Sequence, residues 1–211
     1  MVYPIGKRII PPIYKLWLRK VEGLENVPKN IPFIIAANHA SYYDAMLLHT
    51  ILIPELDKKI HALANSGYWN NWFTRMTLNW GECIPVYVKK ERDADLKNKQ
   101  ATEKALKYLR NGELVQIFPE GTRSFDGKLK KAYPGVAKLA LKAKVPVLPV
   151  GITDSYKVFP KGRLFPRLIR CEVKIGKLMH FNEKPNEKAF QSVTKKIMKQ
   201  IAKLIGQEYN Y

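Results

Sequence analysis

The sequence is poor in cysteine, with Cys83 and Cys171 the only two. Two thiols make no disulfide scaffold, and no cysteine or histidine cluster has zinc spacing. A reducing compartment is the simplest expectation. Acidic residues are scarce as well, 18 against 37 Lys and Arg, which leaves a formal net charge of +19. That balance says nothing about fold, but it attracts an anionic partner: nucleic acid, an acidic lipid surface or an acidic carrier protein. Long hydrophobic runs are missing too. The stretches IPFIIAA and VPVLPVGI fall well short of the ~20 residues that a bilayer-spanning helix needs. The opening MVYPIGKRIIPP has prolines where a secretory signal has a continuous apolar stretch. The expectation is a chain that is soluble or peripheral to a membrane, with no transmembrane span.

What is present supports a folded domain. The chain has 211 residues, 46% of them hydrophobic and 11% aromatic. That is enough for a sizeable core and too apolar for global disorder. No internal repeat or low-complexity tract is visible. Residues 1–20 form an N-terminal segment, and residues 21–211 one domain. The segment mixes Ile5, Ile9, Ile10, Ile13, Tyr14, Leu16 and Trp17 with Lys7, Arg8, Lys15 and Arg19. It reads as a helix packed on the body, as an amphipathic interfacial segment, or as both. In the interfacial reading, aromatics lie at headgroup depth and cations face acidic lipid. Pro11 and Pro12 are expected to interrupt any helix there.

The body alternates strand and helix signals. The apolar run at 31–37 reads as a buried strand, 59–64, 83–88, 114–118 and 145–152 read as further strands, and 169–175 alternates like an outer strand. Helices are expected over 44–53, stopping at Pro54, and over 68–80, 95–110 and 135–143. Phe190, Val193, Ile197, Ile201, Leu204 and Ile205 form one helical stripe near the end of the chain. Alternating elements with continuous apolar strands predict an α/β fold: a mixed, mostly covered β-sheet flanked by helices, with the N-terminal interfacial helical segment appended.

Two segments carry chemistry. The first, Asn38-His39-Ala40-Ser41-Tyr42-Tyr43-Asp44, begins where the first buried strand ends. A histidine leaving a strand and an aspartate five residues on, at a helix start, can meet across the turn. The carboxylate then fixes the tautomer and leaves the second ring nitrogen free to take a proton. Asp44 equally suits a plain helix cap. The second, Phe118-Pro119-Glu120-Gly121-Thr122-Arg123-Ser124, follows a strand. Gly121 permits a tight turn, Thr122 and Ser124 offer hydroxyls, and Arg123 a planar fork suited to phosphate. An ordinary turn with a solvated arginine gives the same spacing. Between them, Ile84-Pro85-Val86 is followed by Lys89, Lys90 and Arg92, either a headgroup-binding cluster or a solvated face.

Together these blocks resemble the glycerophospholipid acyltransferase family, typified by 1-acylglycerol-3-phosphate acyltransferases. That family carries N-H-x-x-x-x-D and, further on, F-P-E-G-T-R-S, and both stand intact here at residues 38–44 and 118–124. Ile84-Pro85-Val86 lies between them in the family's order. Pro134-Gly135-Val136 and the proline-rich strand ending Leu148-Pro149-Val150 follow, and Val21-Glu22-Gly23-Leu24 opens the domain as in the family. The resemblance spans roughly residues 21–151. One position departs. Family members often have an arginine four residues after the isoleucine of the third block, where Val88 stands here.

The resemblance implies an O-acyltransferase of phospholipid biosynthesis, acting at a membrane. A fatty acyl group would pass from acyl-CoA or acyl-carrier protein to lysophosphatidic acid, with glycerol 3-phosphate or another lysolipid as the alternative acceptor. His39 would be the base and Asp44 its orienting partner. Glu120, Gly121, Thr122, Arg123 and Ser124, with Lys89 and Lys90, would form the acceptor site. The donor is a substrate, so no cofactor or metal is expected, and Cys83 reads as a strand residue rather than a nucleophile. The expected partners are an anionic membrane surface on the cytoplasmic side, the thioester donor and the lysophospholipid. A basic nucleic-acid-binding protein or a catalytically silent lipid-binding scaffold would also explain the charge. Neither needs the two blocks, and no nucleic-acid-binding motif is evident.

Overall fold

The computed structural model describes residues 3, 6–88, 90–159 and 165–211. In chain order the elements are helix α1 (Gly6–Lys15), strand β1 (Leu18–Glu22), β2 (Ile34–Ala37), α2 (Asp44–Leu56), β3 (Ile60–Asn65), α3 (Trp72–Trp80), β4 (Ile84–Val86), α4 (Ala94–Arg110), β5 (Leu114–Ile117), α5 (Gly135–Ala143), β6 (Val147–Thr153), α6 (Ser155–Val158), β7 (Cys171–Ile175) and α7 (Glu187–Leu204). The strands form one sheet in the order β1-β7-β6-β2-β5-β3-β4. Every neighbouring pair is parallel except β6 with β7. This is the covered, mixed α/β sheet that the alternation predicts.

A mostly parallel sheet needs both faces covered, so its central strands read as unbroken apolar runs. In β2, Ile34 and Ala36 join one core with Leu106 and Leu109 of α4, Val136 and Leu139 of α5, and Val193 and Ile197 of α7. Ile35 and Ala37 point the other way, into a core with Leu47, Leu48 and Leu52 of α2. The period-2 alternation of strand side chains thus feeds two cores from one four-residue strand.

Three proline positions depart from expectation. Helix α1 runs straight through Pro11 and Pro12. Proline there removes two intrahelical donors, but tertiary packing compensates. Pro11 is buried, the Tyr14 and Tyr43 rings stack 5.2 Å apart, and the Tyr43 hydroxyl donates to the Tyr14 carbonyl. Helix α2 passes its expected stop at Pro54 and ends at Leu56. In the final turn that proline costs a single backbone bond. Asp57, at φ 48°, then closes the helix by donating its N–H to the Ile53 carbonyl. Leu18–Glu22 forms an edge strand against β7, across the expected boundary between the N-terminal segment (1–20) and the domain (21–211). Exposed Arg19 and Lys20 protect that edge from further pairing. Among the described residues, no helix is long and apolar enough to cross a membrane.

The topology places the two sequence blocks side by side. The chain leaves β2, crosses over to β3, continues to β4, and returns to insert β5 between β2 and β3. Neighbouring strands lie ~4.8 Å apart. Because β2 and β5 are parallel, the segments beginning at Asn38 and Phe118 emerge together at one end of the sheet. Ligand sites of open α/β sheets form at that carboxyl end.

Candidate active site

The exit of β2 is fixed by Asn38. Its buried amide donates to the Ile152 carbonyl at 2.8 Å and accepts from the Ile152 N–H at 2.7 Å. The side chain thereby extends the pairing with β6 by one step. Losing it would strand two buried backbone groups, at ~1–3 kcal/mol each.

His39 follows, and Asp44 begins α2 with no exposed surface. Asp44 Oδ2 accepts the N–H groups of Ala40 and Ser41, both at 2.7 Å, and lies 2.9 Å from His39 Nδ1. One oxygen thus holds the turn before α2 together with the histidine ring, while the first N–H groups of α2 itself receive no side-chain cap, so Asp44 is not the helix cap that its position suggests. An ionised carboxylate only accepts, so Nδ1 carries its hydrogen and Nε2 is the free acceptor. The His39 ring stacks on Phe118, with centroids 3.9 Å apart and planes 12° from parallel. The side chain retains 20% exposure, so a substrate can reach it. His61 is sealed in the interior; His49 is half-buried, and desolvation pushes it down to about 4.

The second block holds the first. Glu120, 1% exposed, accepts the His39 N–H at Oε1 (2.9 Å) and the Lys130 N–H at Oε2 (2.8 Å). The Ser124 N–H donates to the His39 carbonyl at 2.7 Å. The main chain of His39 is thus gripped on both sides by residues 120 and 124. Burial raises the Glu120 carboxyl to about 7, against the two backbone donors that favour its charge. The Ser124 hydroxyl is directed to Asp126 Oδ1 at 2.9 Å. Glu120 and Ser124, expected in the acceptor pocket, are turned inward instead. Gly121 sits at φ 65°, so a side chain there would strain the backbone, and its Cβ would crowd the exposed Tyr133 ring at 3.1 Å. Thr122 is exposed.

Arg123 is half-buried. Its guanidinium carbon lies 3.4 Å from the Tyr42 ring centroid, and Lys130 Nζ donates to its carbonyl at 2.7 Å. Arg123 Nη1 is buried and has no hydrogen-bond partner among the described residues. Burial raises the Tyr68 hydroxyl while the nearby Arg123 charge lowers it, which puts Tyr68 in the same neighbourhood. A cation seated over one ring, with a donor left over, is a ready anion ligand.

The third block contributes less. Lys89 lies outside the described residues. Lys90 is exposed in the loop beyond β4, and β4 is the third strand from β2, ~14 Å along the sheet. Cys83 is buried and burial raises its thiol, which disfavours the thiolate a nucleophile needs. Sequence reasoning left Asn38, Tyr42 and Phe118 without roles. A polar amide at the end of an apolar strand was the one available signal, for Asn38.

Comparison with known proteins agrees with this geometry. The family model described as Acyltransferase matches residues 18–153, more than half of the chain. The 1-acyl-sn-glycerol-3-phosphate acyltransferase of Bacillus subtilis is 28% identical over 88% of this chain and 87% of its own. The chloroplastic 1-acyl-sn-glycerol-3-phosphate acyltransferase LPAT1 of Arabidopsis thaliana is 30% identical over 72% of this chain, which spans only 40% of that longer protein. The crystal structure of the 1-acyl-sn-glycerophosphate (LPA) acyltransferase PlsC from Thermotoga maritima superposes with a TM-score of 0.71 at 26% identity. That match covers 97% of this chain and 81% of the other. With the family's two blocks intact and brought together at one sheet end, the chain belongs to the acyltransferase family.

Proposed function

We propose that the protein transfers a fatty acyl group from a thioester, acyl-CoA or acyl-carrier protein, to the free hydroxyl of lysophosphatidic acid, giving phosphatidic acid. The relatives named as acyltransferases of this substrate class support the reading. The observation that carries it is the 2.9 Å contact of His39 Nδ1 with Asp44, which leaves Nε2 available, beside an arginine with an unused donor.

An alcohol is a poor nucleophile near neutral pH. His39 Nε2 takes its proton as the oxygen attacks the thioester carbonyl. Asp44 keeps the ring oriented and stabilises the imidazolium that forms. Collapse of the tetrahedral intermediate breaks the C–S bond, and the departing thiolate recovers the proton from His39. No acyl-enzyme forms, so no Ser or Cys nucleophile is needed. Arg123 holds the acceptor phosphate and so orients the hydroxyl toward His39. The acceptor and product are lipids, and the +19 charge suits work at an anionic, cytoplasmic-side membrane surface, where each nearby Lys or Arg is worth ~1 kcal/mol.

The test is release of free thiol by purified protein, with either thioester donor, on a panel of lysophosphatidic acid, glycerol 3-phosphate and lysophosphatidylcholine. Preference for lysophosphatidic acid is expected. No turnover with any acceptor, or turnover independent of the acceptor phosphate, would sink the reading.

A further inference from the structure

Helix α3 is built inside out. An amphipathic helix packed on a sheet turns its apolar stripe inward. In α3, Trp72, Phe73, Met76 and Trp80 fall within about 100° of arc at 100° per residue. Yet these four are between 53% and 68% exposed, and no residue of the helix is buried. Thr74 and Leu78, on the opposite side, are the partly covered ones. The fold therefore presents two indoles, a phenyl ring and a thioether to the outside on a single helix.

The stripe does not stand alone. The Tyr3 ring lies 4.6 Å from Trp80, and Gly6, the first residue of α1, lies close against the same indole. Helix α1 adds its own exposed apolar residues, Ile9 and Ile13, with Leu16 just beyond its end. The ionic residues of the two helices are all cationic: Lys7, Arg8 and Lys15 in α1 and Arg75 in α3. Arg8, Lys15 and Arg75 are exposed. At the other end of α3, Asn71 caps the helix and the Thr74 hydroxyl donates to the Tyr68 carbonyl. The N-terminal end of α3 thus lies next to Tyr68, which neighbours Arg123 and Tyr42 of the candidate site.

We infer that α3 is a membrane-inserting helix, which lays Trp72, Phe73, Met76 and Trp80 into the interface of an anionic lipid leaflet and sets the mouth of the site against the bilayer. The inference rests on the proposed membrane reading and adds a named insertion element to it. Indole rings favour the headgroup boundary, and cations around an apolar face add attraction to anionic lipid. A second copy of the chain fits less well, because it would bring Arg8, Lys15 and Arg75 against their own like charges. The placement gives a lysolipid a lateral path from the leaflet to Arg123 without crossing water.

The test uses the full chain and phosphatidylcholine vesicles with and without phosphatidylglycerol. Brominated lipids should quench the native tryptophan fluorescence, and Trp72→Phe with Trp80→Phe should remove most of that quenching while retaining binding. The combined variant Trp72→Ser, Phe73→Ser, Met76→Ser should lose vesicle retention by about tenfold or more. It should still turn over a water-soluble, short-chain acceptor at the native rate. Native binding without quenching, or undiminished retention by the serine variant, would overturn the role of α3 and leave the acyl-transfer reading standing. The quenching arm holds even where the serine variant fails to fold. A native dimer in sedimentation that dissociates on the same substitutions would also overturn it, by showing that a protein covers this face. Failure of thiol release with every acceptor is read separately and bears on the reaction, not on the helix.

Discussion

The backbone N–H of His39 donates to the buried carboxylate of Glu120 at 2.9 Å, across 81 residues of sequence. The second oxygen of that carboxylate holds the Lys130 N–H, so Glu120 ties the loop after β2 to the loop after β5. Both bonds need an acceptor on each oxygen, and the ionised form supplies them. Glutamine supplies one acceptor and sets an NH2 group against the other backbone donor. Glu120→Gln should lower kcat by roughly ten- to hundredfold through misplacement of His39, with KM for the acceptor little changed. A KM effect with intact kcat would instead make Glu120 a substrate ligand.

The same carboxyl sets a pH dependence of stability. Its folded pKa, about 7, stands above the ordinary 4.5 because burial disfavours the charge. A raised acid pKa means that the native state binds the proton more tightly than the unfolded chain. Its stabilising contribution is therefore complete at low pH and is lost as pH rises from 4.5 through about 7. Urea titrations of the wild type should show an unfolding free energy falling over that window relative to Glu120→Gln, by on the order of 3 kcal/mol at most. Parallel pH profiles for the two proteins would contradict this.

Asp44 gives a cleaner separation of folding from chemistry. Asparagine can keep the Ala40 and Ser41 N–H bonds through its oxygen, so the turn should survive. It cannot supply the charge that stabilises a protonated His39. Asp44→Asn should fold with a near-native melting curve and lose about 10³-fold or more in kcat. Native rates would reduce Asp44 to a holder of the turn at Ala40 and Ser41.

Arg123 places its charge over the Tyr42 ring. Arg123→Ala should raise KM for a phosphate-bearing acceptor by roughly ten- to hundredfold, and Arg123→Lys should restore only part of it, because an ammonium neither stacks nor forks. Acceptor saturation curves measure both. An unchanged KM in the alanine variant would remove the phosphate contact.

Much of this was legible in the residues. The five-residue spacing of His39 and Asp44 implied their contact, and α5 spans the residues that its apolar pattern marked. What escaped was non-local or inverted. No local spacing shows that β5 inserts beside β2, and without that adjacency Glu120 and Ser124 look like pocket residues rather than a grip on His39. Prolines 11, 12 and 54 looked like helix breaks because a sequence shows the lost N–H but not the packing that outweighs it. The aromatics of α3 carry a helical period, which is the same whether the stripe faces a core or the outside. Only the packed structure gives its direction.

The central claim is that the His39 imidazole removes the proton from the acceptor hydroxyl. The most direct measurement is thiol release from an acyl thioester in the presence of lysophosphatidic acid, comparing wild type with His39→Ala at matched folding by circular dichroism. Steady turnover by the wild type and a loss of about 10³-fold or more in the variant are expected. Comparable turnover by a folded His39→Ala protein would contradict it.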